Sequence, residues 1–298
     1  NTQILKIVDF LNARARENQW GFVDFNRPMV AINQWEQAAD SMYTLCGKDR
    51  IHPSTDGHLV MAYLFLKAQG LAGKLVADIR IDGAGKKVTR SDNCRVSDLS
   101  VSSDNLTFTY EAKSLPYPID TSYYDNEKHT QADALSVIPF MDEMNYEGLS
   151  VSGLSDGYYG LTIGGEFIGR FTARELERGI NMALLQNTPQ YKQAMKIRQM
   201  NEERWLKERK MREFYWVEYN LMRKTGMLWA CDEAAVDTLR KYRPHDIFLQ
   251  WNGDLWLQYM HKGIREDCVN EQQDLVDRIY EQNKPIPLQI EIKKFTDL

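Results

Sequence analysis

The spacing of the hydrophobic residues changes twice along the chain, and this limits the folds open to it more than any other feature. Residues 2–17 carry apolar side chains at helix spacing. From about Lys74 the spacing shortens to two residues, which predicts antiparallel strands separated by glycine and asparagine turns. Neither Gly nor Pro occurs between Pro189 and Gly226, so one long helix is predicted there. The spacing therefore divides the chain into three regions: residues 1–73, the β-rich residues 74–171 and the mainly helical residues 172–298.

The first region contains a helix with clear ends. Ser54 or Thr55 suits its N-cap, Asp56 suits the positive end of its dipole, and Gly70 suits its C-terminal end. The helix is apolar around most of its circumference, which predicts burial against a sheet. The shorter elements predicted elsewhere are a strand at residues 22–25, a helix at 30–42 and a closing strand within 286–295.

Composition excludes several classes of protein. The formal net charge is −5 and the pI is near 5.7, so the chain lacks the basic field that nucleic acid or an anionic membrane requires. No apolar run approaches the roughly 18 residues of a membrane span. Four cysteines lie far apart without a C-x-x-C pair or a His at zinc-ligand spacing, so buried free thiols are expected rather than a metal site.

The motif that carries chemistry is Asp49-x-x-His52. A serine hydrolase needs a carboxylate on one imidazole nitrogen so that the other nitrogen can act as base toward the serine. Asp49 and His52 are three positions apart on a tight turn that precedes a capped helix. This separation allows the Asp49 carboxylate to contact the His52 imidazole. The alternative from spacing alone is an Asp–His ion pair on a surface turn.

The surrounding sequence favours the catalytic interpretation. The string GKDRIHPSTDGHLVMA at residues 47–62, preceded by FVDF at 22–25 and a helix, resembles the last block of the SGNH (GDSL-type) hydrolases. The resemblance covers residues 1–73 and implies the C-terminal part of an α/β/α, flavodoxin-like domain. It implies that His52 is the general base and that Asp49 orients it. The family's serine lies in a GDS segment and its other oxyanion donors are a Gly and an Asn. No GDS or GND string occurs here, and the chain begins at Asn1, so we expect the nucleophile in a missing upstream part and no activity from this chain alone.

The resemblance also implies a function. It points to a serine acyl-ester hydrolase that deacetylates or deacylates a glycan or related small-molecule ester, without a metal or organic cofactor. A periplasmic or secreted location is implied by this resemblance and by no other feature of the sequence. The competing hypothesis is a non-catalytic carbohydrate- or protein-binding module in which residues 74–298 do the binding.

Other candidate residues have plainer explanations. Gly-Leu-Ser-Asp-Gly at residues 153–157 fits the G-x-S-x-G nucleophile elbow, but strand spacing follows it where the elbow requires a helix, so Ser155 is expected in a hairpin turn. His58 is expected as a cap or surface residue, although it could line the site. Three tryptophans could form a carbohydrate platform or belong to a helical core: Trp229, Trp251 and Trp256.

Overall fold

The computed structural model describes residues 2–47, 49–122 and 129–295. The chain forms two compact units. One consists of Asn1–Lys192 together with Pro285–Leu298, and the other is Gln193–Lys284. The division of the sequence at residues 73 and 171 stays a prediction.

The N-terminal part of the first unit is helical. Its helices are α1 (Thr2–Glu17), α2 (Asn26–Glu36) and α3 (Thr55–Ala68). Helix α3 begins after Ser54, which has extended backbone angles, and Gly70 follows its end with a φ of +73°. The helix thus begins and ends where the sequence predicted, although the Ser54 side chain makes no capping hydrogen bond.

The strand predicted at residues 22–25 is wrong, because these residues are irregular and α2 begins directly after them. Among the described residues up to 73, the β-structure is one bridge between Cys46 and Pro53. A short strand must pair its backbone N–H and C=O groups with a neighbour, and the described residues of this region form no strand that could pair with it. The structure therefore gives a mixed α/β protein with a helical C-terminal region.

Strands from the middle of the chain build two sheets. The first sheet has the order β2-β1-β5-β8, and the second has the order β3-β4-β9-β6-β7. Neighbouring strands are antiparallel except β1 and β5, which are parallel. The strands are β1 (Ala77–Asp82), β2 (Lys87–Asp92), β3 (Cys94–Val101), β4 (Asn105–Ala112), β5 (Glu147–Ser152), β6 (Tyr158–Ile163), β7 (Glu166–Thr172), β8 (Ile180–Asn181) and β9 (Leu288–Lys294).

One hydrophobic core joins the two sheets. Alternate side chains of β1, β4 and β5 are fully buried in it, which follows from the two-residue period of a strand. The predicted closing strand is confirmed as β9, which pairs antiparallel with β4 on one side and β6 on the other. The last strand in the sequence is thus central in its sheet.

Short helices connect these strands. They are the 3₁₀ turn Gln131–Ser136, α4 (Phe140–Glu143), α5 (Ala173–Arg178) and the 3₁₀ turn Met182–Leu184. Helix α5 begins with a capping box, in which the Thr172 hydroxyl accepts the Glu175 N–H at 3.1 Å and the Glu175 carboxylate accepts from the Thr172 N–H at 2.7 Å.

The second unit is built from helices. The long predicted helix is α6 (Pro189–Val217), and it continues as a π-helical turn, Glu218–Met222. It is followed by α7 (Glu233–Tyr242), a 3₁₀ turn (Arg243–His245), α8 (Ile247–Tyr259) and α9 (Lys262–Gln282). No helix of the described residues is both long and apolar enough to cross a bilayer.

A buried carboxylate organises the core of this unit. Glu218 is only 1% exposed, and it accepts hydrogen bonds from the Trp256 indole at 2.8 Å and from the Trp229 backbone N–H at 2.9 Å. Trp256 is fully buried, so its interpretation as a carbohydrate platform is wrong. Trp229 and Trp251 remain substantially exposed.

Candidate active site

The Asp49-x-x-His52 motif lies at the tip of a closed loop. Two backbone hydrogen bonds close its base, from the Ser54 N–H to the Leu45 carbonyl at 3.0 Å and from the Gly47 N–H to the His52 carbonyl at 2.8 Å. Arg50, between the two motif residues, has a φ of +56°, which reverses the chain sharply. Lys48 lies outside the described residues.

The two oxygens of Asp49 have separate partners. Oδ1 accepts the backbone N–H groups of Ile51 at 2.9 Å and His52 at 3.1 Å. Oδ2 lies 2.6 Å from Nδ1 of His52. The predicted side-chain contact is therefore present, and the same carboxylate fixes both the backbone turn and the imidazole ring.

These contacts determine the charge on the carboxylate. The hydrogen bond from His52, followed by those from the Ile51 and His52 backbone, lowers the pKa of Asp49 to about 2. Asp49 is therefore ionised at neutral pH, and an ionised carboxylate can only accept a hydrogen bond. The neutral His52 ring must then carry its proton on Nδ1, which leaves Nε2 as the nitrogen that can accept a proton. The imidazole is 82% exposed, so an incoming group can reach it.

A second acid–imidazole contact lies beneath the loop. Asp56 is 1% exposed, and its Oδ1 accepts the Gly57 N–H at 2.8 Å and the Ser54 hydroxyl. Its Oδ2 lies 3.5 Å from Nδ1 of His129. Asp56 thus connects the end of the Asp49–His52 loop and the first turn of α3 to residue 129.

Sequence reasoning missed this contact. It assigned Asp56 only to the helix dipole and paired it with no histidine. A pair so far apart in sequence leaves no periodic signal, so only the fold could bring these two residues together. The one available signal was the acidic residue in the first turn of a helix that is otherwise buried.

The base of the loop packs tightly on α3. Leu45 is fully buried. A Cβ added to Gly57 would lie 2.0 Å from the Leu45 carbonyl oxygen and 3.3 Å from Cβ of Pro53. Only glycine allows the helix to approach the loop so closely.

Ser155 lies in the turn between β5 and β6, and a strand rather than a helix follows it. Its hydroxyl accepts a hydrogen bond from Lys294 Nζ at 2.8 Å and lies 3.1 Å from the Tyr159 hydroxyl. The helix N-terminus that a nucleophile elbow needs is therefore missing at this position. The expected turn is confirmed, but it is not a hairpin, because β5 and β6 belong to different sheets.

The remaining candidates are dispersed. His58 is exposed on the first turns of α3. The four cysteines are free, and Cys94 and Cys268 are buried as expected, whereas Cys46 is half-buried and Cys231 is exposed. Within the described ranges, no group of three or more His, Cys, Asp or Glu residues is arranged to hold a metal ion.

Comparison with known proteins identifies the class of protein to which this chain belongs. Residues 195–284 match the model of the diltiazem deacetylase C-terminal helical domain. A search of curated proteins finds no significant match. The chain belongs to the diltiazem deacetylase family and is, at the level of class, an ester hydrolase.

A solved structure extends this similarity to the whole chain. The fold matches a gut microbial diltiazem-metabolizing enzyme with a TM-score of 0.92 and 42% sequence identity. The alignment covers 99% of this chain and 67% of that one. The chain therefore spans about two thirds of the length of that enzyme.

Proposed function

We propose that this chain carries the base and the orienting carboxylate of an SGNH-type serine esterase that removes acetyl or similar acyl groups from a small-molecule or glycan ester. His52 is the general base and Asp49 holds it in the required tautomer. The nucleophilic serine and the remaining oxyanion donors come from a segment outside these 298 residues. The observation that carries the proposal is the 2.6 Å contact between Asp49 and His52 Nδ1 on an exposed loop.

The reaction follows from the roles of these groups. His52 Nε2 accepts the serine proton as the serine oxygen attacks the ester carbonyl, and it then donates that proton to the leaving alcohol. Water, activated by the same nitrogen, releases the acid from the acyl-serine. No metal ion or organic cofactor takes part in this sequence of steps.

An uncovered apolar side of α1 supports the proposal that further residues complete the domain. Ile4, Ile7, Phe10 and Leu11 are each at least half exposed, and Ala15 is the only buried residue described in this helix. An isolated soluble domain rarely exposes an apolar face of this extent. A flavodoxin-like sheet supplied by a preceding segment would give this helix and α3 a surface to pack on.

The family also bears on the choice between an enzyme and a binding module. The similar structure is described as an enzyme that metabolizes diltiazem, and the matching family model is that of a deacetylase. Both descriptions support hydrolysis of an acetyl ester over binding alone. They also make small acetylated molecules the first substrates to test, before acetylated glycans.

The proposal predicts that His52→Ala abolishes ester hydrolysis. In the full-length protein, turnover of p-nitrophenyl acetate should fall by about 10⁴-fold or more, because the members of a triad act as a unit. The matched control is Ser155→Ala, which should retain activity because this serine lies in a turn between two strands, without the helix that a nucleophile elbow requires. The measurement is kcat for each variant, with the 298-residue chain alone expected to be inactive.

Each alternative gives a different result. Full activity of the His52→Ala variant would overturn the proposal. Loss of activity in the Ser155→Ala variant would make that serine the nucleophile. A full-length protein that binds acetylated sugars or small acetyl esters without hydrolysing any of them would favour the binding module.

A further inference from the structure

The helical unit contains the most accessible thiol of the chain. Of the four cysteines, Cys231 alone is exposed. It lies directly before Asp232, the N-cap of α7, in the segment between the π-helical turn and that helix. This position is separate in sequence from the Asp49–His52 loop, and the proposed esterase mechanism does not use it.

An imidazole contacts this thiol. Sγ of Cys231 lies 3.3 Å from Nδ1 of His261, within hydrogen-bonding distance for sulfur. His261 is the N-cap residue of the 21-residue helix α9, but its side chain makes no capping hydrogen bond. The Nδ1 atom is therefore directed to the thiol rather than to the helix backbone.

The nearby carboxylates are engaged elsewhere. Asp232 accepts the Ala235 N–H at 3.0 Å, and Glu233 pairs with Arg240 at 2.8 Å. The N-terminal ends of α7 and α9, each with a partial positive charge, adjoin Cys231 and His261 in sequence. A thiolate gains from such partial charges and from an imidazolium beside it.

We propose that Cys231 and His261 form a thiol–imidazole modification site that reacts with the disulfide of a small thiol such as glutathione. His261 Nδ1 accepts the thiol proton, and the Cys231 thiolate attacks one sulfur of the disulfide. The old S–S bond breaks as the new mixed disulfide forms. The departing thiolate takes the proton from His261, so the small disulfide is the only oxidant and one small thiol is released.

The other thiols provide an internal comparison. Burial, together with the charges of Asp49 and Asp56, raises the pKa of Cys46. Burial raises the pKa of Cys94 as well, and Cys268 is 3% exposed. None of these three combines exposure with an imidazole contact among the described residues, so modification is expected at one position.

The test is a rate measurement with site mapping. The full chain is treated with glutathione disulfide at pH values from 5 to 9, and the modified cysteines are identified by peptide mass spectrometry. The variants are Cys231→Ser, His261→Gln, His261→Asn and His245→Gln. His245 is a matched control because it is an exposed histidine of the same unit outside the thiol contact.

The expected result is a single early adduct on Cys231, absent in the Cys231→Ser variant. Both His261 variants should slow the reaction at pH 7 by about 10-fold and remove the imidazole step from the pH–rate profile. Asn is a favourable N-cap, so it preserves the start of α9 if Gln does not. His245→Gln should leave the rate unchanged.

Two results would overturn the proposal. One is an unchanged rate in a folded His261 variant, which would make Cys231 merely an exposed thiol. The other is equally fast labelling of Cys46 in the native chain. Labelling of Cys94 and Cys268 in a variant would show that it has unfolded, and the rate is then taken from the other His261 variant.

Discussion

At the scale of single residues, Asp49 performs two tasks with one carboxylate. One oxygen accepts two backbone N–H groups and shapes the turn, while the other accepts from the imidazole. The two tasks can be separated by substitution, because an amide keeps one accepting oxygen and replaces the other with a donor.

We predict that Asp49→Asn leaves the turn in place and removes catalysis. The amide oxygen can still accept from Ile51 and His52, but the amide N–H₂ would donate to Nδ1 and place the ring proton on Nε2. Turnover of the full-length protein should fall by roughly 10⁴-fold, with little change in Tm. Nitrogen NMR of the imidazole should show the change of tautomer. Unchanged turnover would contradict the orienting role of this carboxylate.

At the scale of elements, the start of α3 and the Asp49–His52 loop form one packed assembly. Gly57 permits the close approach, and the buried Asp56 carboxylate connects the two segments. The position of the loop therefore depends on Gly57 and Asp56 as well as on the hydrogen bonds of Asp49.

We predict that Gly57→Ala displaces the loop. The added methyl group would meet the Leu45 carbonyl at 2.0 Å, and relieving such an overlap costs about 1–3 kcal/mol of the free energy of unfolding. The turnover of an ester by the full-length protein should fall as well, because the loop is displaced. Urea unfolding and kcat measure the two effects.

The matched control is Gly263→Ala in α9, where an added Cβ meets nothing within 4 Å. Alanine favours a helix over glycine by about 1 kcal/mol, so this variant should be as stable as the wild type or more so. Destabilisation of both variants alike would refute the steric explanation.

The helices and strands also show which features of the sequence predict local structure. The ends of α3 were predicted because their signals are local: a serine at the N-cap position and a glycine with positive φ after the last turn. The strand at residues 22–25 was predicted wrongly because pairing depends on partners elsewhere in the chain. The contact of Asp49 with His52 was predictable from its short spacing, whereas that of Asp56 with His129 was not.

At the scale of the whole molecule, a buried acid in the first unit couples stability to pH. Glu147 is fully buried on β5, and its Oε1 accepts from the Tyr110 hydroxyl at 2.8 Å and from Gln190 Nε2 at 3.2 Å. Within the described part of the chain, Glu147 Oε2 and Gln190 Oε1 are buried without partners. Burial raises the pKa of Glu147 from 4.5 to about 7, against the two hydrogen bonds, which lower it.

We predict that stability falls as pH rises from about 4.5 to about 7. In that range the folded state holds a proton on Glu147 that the unfolded state has lost, so the free energy of unfolding decreases with pH and then levels off. The loss attributable to this group is on the order of 3 kcal/mol. Urea unfolding at pH 5 and pH 8 measures it.

Glu147→Gln separates this group from the others that titrate. The amide can accept from Tyr110 and donate to Gln190, and it has no charge to bury. The variant should therefore lose less stability than the wild type between pH 5 and pH 8. An equal loss in both proteins would show that Glu147 does not control the pH dependence.

The central position of β9 has a consequence for synthesis on the ribosome. The hairpins β3–β4 and β6–β7 are translated well before residues 288–294, and the whole of Gln193–Lys284 emerges in between. At about 5–20 residues per second, that interval lasts on the order of ten seconds. During it, β4 and β6 present open edges in the nascent chain, and such edges invite pairing with foreign strands. The growing polypeptide is thus most exposed to aggregation just before its final strand arrives, which makes this interval the natural point of action for a ribosome-associated chaperone.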